Sequence, residues 1–90
     1  MSSAWRIEYS ATALNQLRKL DRGVARRIVR SVERHVNGIE GPRSSGSALS
    51  GPLGGLWRYR VGDYRVICEI RDATIQVLVL RLGHRRDIYR

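Results

Sequence analysis

The sequence predicts an α+β domain in which two helices cover one face of an antiparallel sheet. Three observations carry that expectation. Apolar residues recur at helical spacing through the first half of the chain and at a spacing of two through the second. Between the halves, residues 38–55 hold six of the nine glycines and both prolines, which marks a break between helical and strand regions. No repeat or second composition block divides the 90 residues, so residues 1–90 read as one domain.

Each element has its own local reason. Trp5-Arg6-Ile7-Glu8-Tyr9 alternates, with Trp5, Ile7 and Tyr9 on one face, and predicts a short strand. Ser10 stands where a helix N-cap belongs, and Ala13, Leu14, Leu17 and Leu20 follow at helical spacing. Asp21 caps a second helix, whose apolar stripe is Val24, Ala25, Ile28, Val29, Val32 and Val36. Arg22, Arg26, Arg27, Arg30 and Arg34 lie mostly off that stripe, and Asn37-Gly38 supplies a stop. Residues 38–55 read as a long surface loop. A strand over 56–61, a Gly62-Asp63 hairpin turn and a strand over 64–70 come next. Asp72-Ala73 is a second turn, 74–82 an apolar strand for the middle of the sheet, and Gly83 its end. The order is β-α-α-β-β-β: four antiparallel strands, with the direction of the first left open, two helices on one face, and a short basic tail.

Charge narrows the partner. Seventeen basic residues face eight acidic ones, for a net charge of +9 and a pI near 11.2. All the bases but Lys19 are arginine, whose planar guanidinium grips phosphate in two-pronged fashion, so nucleic acid leads as partner. An apolar fraction of 42% is enough for a core and argues against disorder. Cys68 is alone, which excludes an intrachain disulfide and a cysteine-based zinc site; with only His35 and His84 besides, no metal and no cofactor are expected. The N-terminal residues lack the apolar run of a signal peptide, and no stretch approaches the length of a membrane span. The chain reads as soluble and cytoplasmic, with no membrane partner.

The chemistry gathers in the hairpin. Trp57, Tyr59 and Val61 share one strand face and Arg58 and Arg60 the other; Tyr64, Val66, Cys68 and Ile70 fall together, opposite Arg65, Ile67 and Glu69. A two-residue turn pairs Val61 with Tyr64, hence Arg60 with Arg65 and Tyr59 with Val66. With the apolar face packed on the helices, Arg58, Arg60 and Arg65 cluster on the opposite one. Like charges facing each other across strands destabilise a sheet by up to about 1 kcal/mol. A bound phosphate turns that repulsion into a clamp.

The run Gly55-Leu56-Trp57-Arg58-Tyr59-Arg60-Val61-Gly62-Asp63-Tyr64-Arg65-Val66-Ile67 resembles the sheet motif of the RelE/ParE toxin superfamily. Gly83-His84-Arg85-Arg86-Asp87-Ile88-Tyr89 is similar to the C-terminal motif of its RelE branch. The resemblance spans the chain, strand order included. It implies a RelE-like fold and a toxin of a type II toxin–antitoxin system, neutralised by a RelB-like antitoxin and not expected to form homo-oligomers when free. The implied activity is ribosome-dependent, metal-independent cleavage of mRNA in the A site. A ribose 2′-hydroxyl attacks the adjacent phosphate, leaving a 2′,3′-cyclic phosphate and a 5′-hydroxyl.

By motif position the resemblance assigns catalysis to Arg58, Arg60, Arg65, Arg85 and Tyr89, and RNA binding to Arg58, Arg60, His84 and Arg86. One departure matters: well-known RelE toxins carry lysines where this chain has Arg58 and Arg60. Arginine does not lose its proton in proteins, so Arg60 cannot serve as general base and instead stabilises charge and orients the nucleotide. Tyr89 is then the first candidate for proton transfer and for base stacking, and His84 the second. His35, near the end of the second helix, favours the helix dipole. Trp5, Trp57, Tyr59 and Tyr64 read as core, Cys68 as an inert buried thiol, and Glu69 as a partner that orients Arg65. The helical arginines suit ribosomal RNA phosphates or a solvated face. Two other readings compete: a ParE-like inhibitor of DNA gyrase without nuclease activity, and a catalytically silent RNA-binding module.

Overall fold

A computed structural model describes residues 5–51 and 54–87. Along the chain lie β1 (Arg6–Tyr9), α1 (Ala11–Arg18), α2 (Arg22–Val36), β2 (Ser47–Ala48), β3 (Trp57–Val61), β4 (Tyr64–Arg71) and β5 (Gln76–His84). They form one five-stranded sheet in the order β1-β5-β4-β3-β2, with the helices on one face.

The helices start where their caps dictate. The Ser10 hydroxyl accepts from the Ala13 amide at 3.0 Å, and Asp21 accepts from Gly23 at 2.9 Å and Val24 at 3.4 Å. Each bond satisfies an amide that the first helical turn leaves unpaired. Ser10 also joins helix to sheet, since its hydroxyl donates to the Leu80 carbonyl at 2.6 Å and ties the start of α1 to β5.

Ala13 of α1 and Ile28, Val32 and Val36 of α2 pack on Tyr59, Val61, Val66, Cys68, Val77, Val79 and Leu82. Burying each large aliphatic or aromatic side chain stabilises by about 1.5–3 kcal/mol. The apolar faces of β3 and β4 thus turn toward the helices as their alternation requires. Cys68 is fully buried, and burial pushes its thiol up to about 12, as suits an inert residue.

Two expectations need correction, and one open point is decided. The sheet has five strands, not four, because Ser47–Ala48 pairs with β3 from within the predicted loop. It is mixed and not antiparallel throughout: β1, whose direction the sequence leaves open, runs parallel to β5. Tight turns force β3, β4 and β5 to alternate, whereas no turn dictates the direction of β1 against a strand far along the chain. Finally, β5 continues through Gly83 to His84, and Thr74 belongs to a 3-10 turn over Asp72–Thr74.

A bulge within the β4–β5 ladder decides which face the end of β5 presents. Cys68 pairs with Val79 but Ile67 pairs with Arg81, so β5 carries one extra residue there. Val77 and Val79 face the helices, and after the bulge so does Leu82, although it has the opposite parity.

Candidate functional site

The hairpin keeps its predicted register: Tyr59 opposite Val66, Arg60 opposite Arg65, Val61 opposite Tyr64. Among the two turn residues the positive φ, 58°, belongs to Gly62, the pattern of a type II′ turn. In such a hairpin the residues flanking the turn exchange hydrogen bonds, so Arg60 and Arg65 form the next, non-bonded pair. Side chains sit closest in such pairs, with Cα atoms about 4.5 Å apart. The backbone groups of Arg60 then point outward, to the open side of β3 beyond the end of β2.

Arg58 and Arg60 lie on the face away from the helices, as expected. Arg58 donates to the Ser47 hydroxyl at 2.9 Å, so the short β2 orients it. In the next strand Arg65 is half-buried and lies opposite both Arg60 and Gly83. The Arg85 amide donates to the Asp63 carbonyl at 2.8 Å, which ties the tail to the hairpin turn. Arg58, Arg60 and Arg65 therefore share one sheet face, and the backbone of Arg85 is held at the hairpin turn. Tyr89 lies outside the described residues.

The structure adds Arg81 to this face. It pairs with Ile67, which pairs in turn with Arg58 on its other side. Ile67 is fully buried although it points away from the helices, between two arginine neighbours in the ladder whose stems are apolar. Strict alternation from Val77 and Val79 would turn Arg81 toward the helices. Only the bulge reverses that, and no pattern in the sequence announces it.

Other assignments change. Glu69 pairs with Arg71 at 3.1 Å instead of Arg65, whose Nη1 lies 3.4 Å from the Tyr64 carbonyl. The His84 ring meets Tyr64 edge-on with centroids 5.7 Å apart, and its Nδ1 accepts from the Arg86 amide at 3.2 Å. His84 is thereby held in the tail turn, while the Arg86 side chain is exposed. A cleft of about 540 Å³ opens beside His84, between it and Lys19 and Leu20 at the end of α1; Arg81 borders it, whereas Arg58, Arg60 and Arg65 do not.

His35 does more than complement a helix dipole. Its ring stacks on Tyr59, centroids 4.7 Å apart and planes 13° off parallel, and its Nδ1 meets the Ser45 hydroxyl at 2.5 Å. Burial, the main cause, lowers its pKa below the usual 6.5; nearby Arg34 adds to this and a hydrogen bond with the Arg60 backbone opposes it. Together with Gly46, Ser47, Arg58 and Arg60 it lines a cleft of about 330 Å³ at the edge of the sheet. In the sequence His35 stands 23 positions before Arg58, and nothing in its spacing links the two.

Comparison with known proteins agrees with this geometry. Residues 7–89 match the family model described as ParE toxin of type II toxin-antitoxin system, parDE. Toxin RelG of Mycobacterium tuberculosis is 31% identical over 84 residues, which cover 93% of this chain and 94% of RelG. Among solved structures, a chain of the RelBE2 toxin–antitoxin complex of M. tuberculosis superposes with a TM-score of 0.77 at 26% identity, covering 91% of this chain and 99% of that one. A chain of the intact E. coli RelBE complex gives a TM-score of 0.72 at 20% identity, covering 90% and 96%, a likeness of fold. With two helices on a five-stranded sheet and an arginine-lined outer face, the chain belongs to the RelE/ParE superfamily of type II toxin–antitoxin toxins.

Proposed function

We propose that this toxin is a ribosome-dependent, metal-independent mRNA endonuclease. The observation that carries the reading is the non-bonded Arg60–Arg65 pair, with Arg58 on the same face and the Arg85 backbone tied to the turn. A fold gains nothing from opposed guanidiniums. A phosphorane gains a great deal, because fixed donors meet charge that grows only in the transition state.

In this reading Arg65 and Arg85 stabilise the phosphorane, and Arg58 and Arg60 hold the phosphates and orient the nucleotide. His84 and Arg86 bind RNA at the tail, and Tyr89 gives a proton to the departing 5′-oxygen. The partner that silences it is a small acidic antitoxin of the RelB kind. RelE-type toxins of similar fold are found in complexes with RelB proteins, and a net charge of +9 calls for a negative partner.

The name of the matching family model favours a second reading, inhibition of DNA gyrase without RNA cleavage. Such binding has no need of opposed arginines. Primer extension on mRNA in translating extracts, with and without ribosomes, tests the first reading, and a gyrase supercoiling assay the second. Cleavage that requires ribosomes, with unchanged supercoiling, is the expected result. Supercoiling inhibition with intact mRNA overturns it.

A further inference from the structure

The nuclease reading leaves one role empty. Transfer of the phosphoryl group requires a base for the 2′-hydroxyl proton, and arginine cannot be that base. Resting on that reading, we propose that His35 is the base, acting through the Ser45 hydroxyl beside the cleft that His35 lines with Arg58 and Arg60.

Geometry argues for it first. The Arg60 backbone points outward beyond the end of β2, and the imidazole hydrogen-bonds there. In the proposal the ring donates to the Arg60 carbonyl, the arrangement that favours its protonated form. Nδ1 is then the ring's acceptor, and the Ser45 hydroxyl donates to it. Hydroxyl, imidazole and a fixed carbonyl in series are the parts of an activated oxygen: one group to pass the proton, one to take it, one to hold the tautomer. Stacking on the fully buried Tyr59 fixes the ring plane.

Electrostatics supports it. Arg34 flanks the ring from α2, Arg58 and Arg60 from β3, with the neutral phenol of Tyr59 beneath. Partial burial, with the Arg34 charge adding to it, lowers the ring's pKa below the usual 6.5 and favours the neutral form, whose lone pair is available. A base with a pKa somewhat below neutrality still accepts a proton once a phosphate dianion forms beside it.

Every proton in the step has a donor and an acceptor. The 2′-oxygen forms its bond to phosphorus as its proton passes to Ser45 Oγ, and the Ser45 proton passes to His35 Nδ1. The bond from phosphorus to the 5′-oxygen breaks, and that oxygen leaves with a proton from Tyr89. His35 afterwards returns its proton to solvent, and Tyr89 regains one.

Single-turnover cleavage on programmed ribosomes, measured against pH, tests the assignment. The wild-type rate is expected to rise with pH up to a plateau, with a midpoint below 6.5. His35→Gln, which can still bond to Ser45 and to the Arg60 carbonyl, should slow the plateau about 100-fold or more and remove the acid limb. Ser45→Ala should slow it about tenfold and keep the limb. Ribosome binding by His35→Gln should be unchanged, which separates a lost base from a lost fold. Should that variant fail to fold, an NMR titration of the imidazole in the wild-type toxin decides: a ring already protonated at neutral pH sinks the proposal. Normal cleavage by His35→Gln with an intact acid limb overturns it while leaving the nuclease reading standing. A wild-type toxin that cleaves nothing overturns both.

Discussion

Arginine opposite arginine is an arrangement that a sheet tolerates at a cost, and here two residues of the same turn enforce it. Gly62 and Asp63 fix the hairpin register, the register fixes the Arg60–Arg65 pair, and the pair supplies the positive charge. That chain of causes was legible in the sequence because each link is local. Arg81 was not, because its direction depends on a bulge set between two strands. His35 was not either, since its partners Ser45 and Arg60 come from other elements. At this scale the expected outcomes are sharp. Arg65→Ala and Arg85→Ala should each lower single-turnover cleavage about 10²–10³-fold with little change in stability, as loss of one oxyanion-type donor does. Tyr89→Phe keeps the ring and deletes the hydroxyl, so a slow variant that still binds ribosomes assigns it proton transfer. A second outcome concerns pH. Burial raises Tyr9 to about 12 and Cys68 to about 12, and Tyr59 is raised as well. Groups with raised folded pKa values stabilise fully below their unfolded values, near 9 to 10, and lose that contribution as pH climbs toward 12. Urea midpoints should therefore fall steadily from about pH 9 upward; a flat alkaline profile contradicts the burial of these groups.

Among the elements, the segment between α2 and β3 departs furthest from its sequence pattern. Glycine and serine with no hydrophobic period read as a plain loop, yet the segment carries β2 and lends Gly46 and Ser47 to the cleft. What holds it is made of contacts to residues far along the chain. The Trp57 indole donates to the Ser45 carbonyl at 2.8 Å, the Tyr59 hydroxyl donates to the Pro42 carbonyl, and Arg43 forms a two-pronged pair with Asp72 at 2.9 Å. The Arg43–Asp72 pair is exposed and adds little stability, though it does pin the loop to the turn before β5. Gly46 is the critical position. Its φ is +83°, and a Cβ there would stand 2.4 Å from the Arg58 carbonyl oxygen and 2.6 Å from the Trp57 indole nitrogen. Neither obstacle moves cheaply, because one is backbone and the other is hydrogen-bonded. Gly46→Ala should cost about 2–3 kcal/mol in urea denaturation. Cleavage should fall more than the melt suggests, since the shift displaces Ser45 and Ser47 together. Such a glycine is invisible to pattern reading, because only the crossing strand makes it necessary.

For the whole molecule, the decisive quantity is charge that the fold does not neutralise. Among the described residues the ion pairs are Arg43–Asp72 and Arg71–Glu69, which leave most of the sixteen arginines facing solvent. On α2, Arg22, Arg26, Arg30 and Arg34 are exposed at successive four-residue steps, with Arg27 beside them. Each like-charged step costs the helix about 0.2–0.5 kcal/mol, so the stripe opposes folding and must be offset by the packed apolar face. Two basic surfaces result, one along α2 and one on the outer face of the sheet, on opposite sides of the core. On the proposed reading, RNA on the sheet face would leave the α2 stripe free for a second polyanion, whereas an acidic antitoxin wrapping the molecule would neutralise both. Long-range attraction of this kind speeds encounter more than it slows escape. Between about 0.1 and 1 M salt the Debye length shrinks from about 10 to about 3 Å, removing attraction beyond the first contact layer. Association of toxin and antitoxin, followed by stopped flow, should slow about 10–100-fold over that range while dissociation changes little. Replacing Arg22, Arg26 and Arg30 together with glutamine should flatten the salt dependence of association without altering the outer face of the sheet. An unchanged salt slope in that variant would place the antitoxin's electrostatic contacts elsewhere, and association indifferent to salt in the wild type would refute charge as the basis of the encounter.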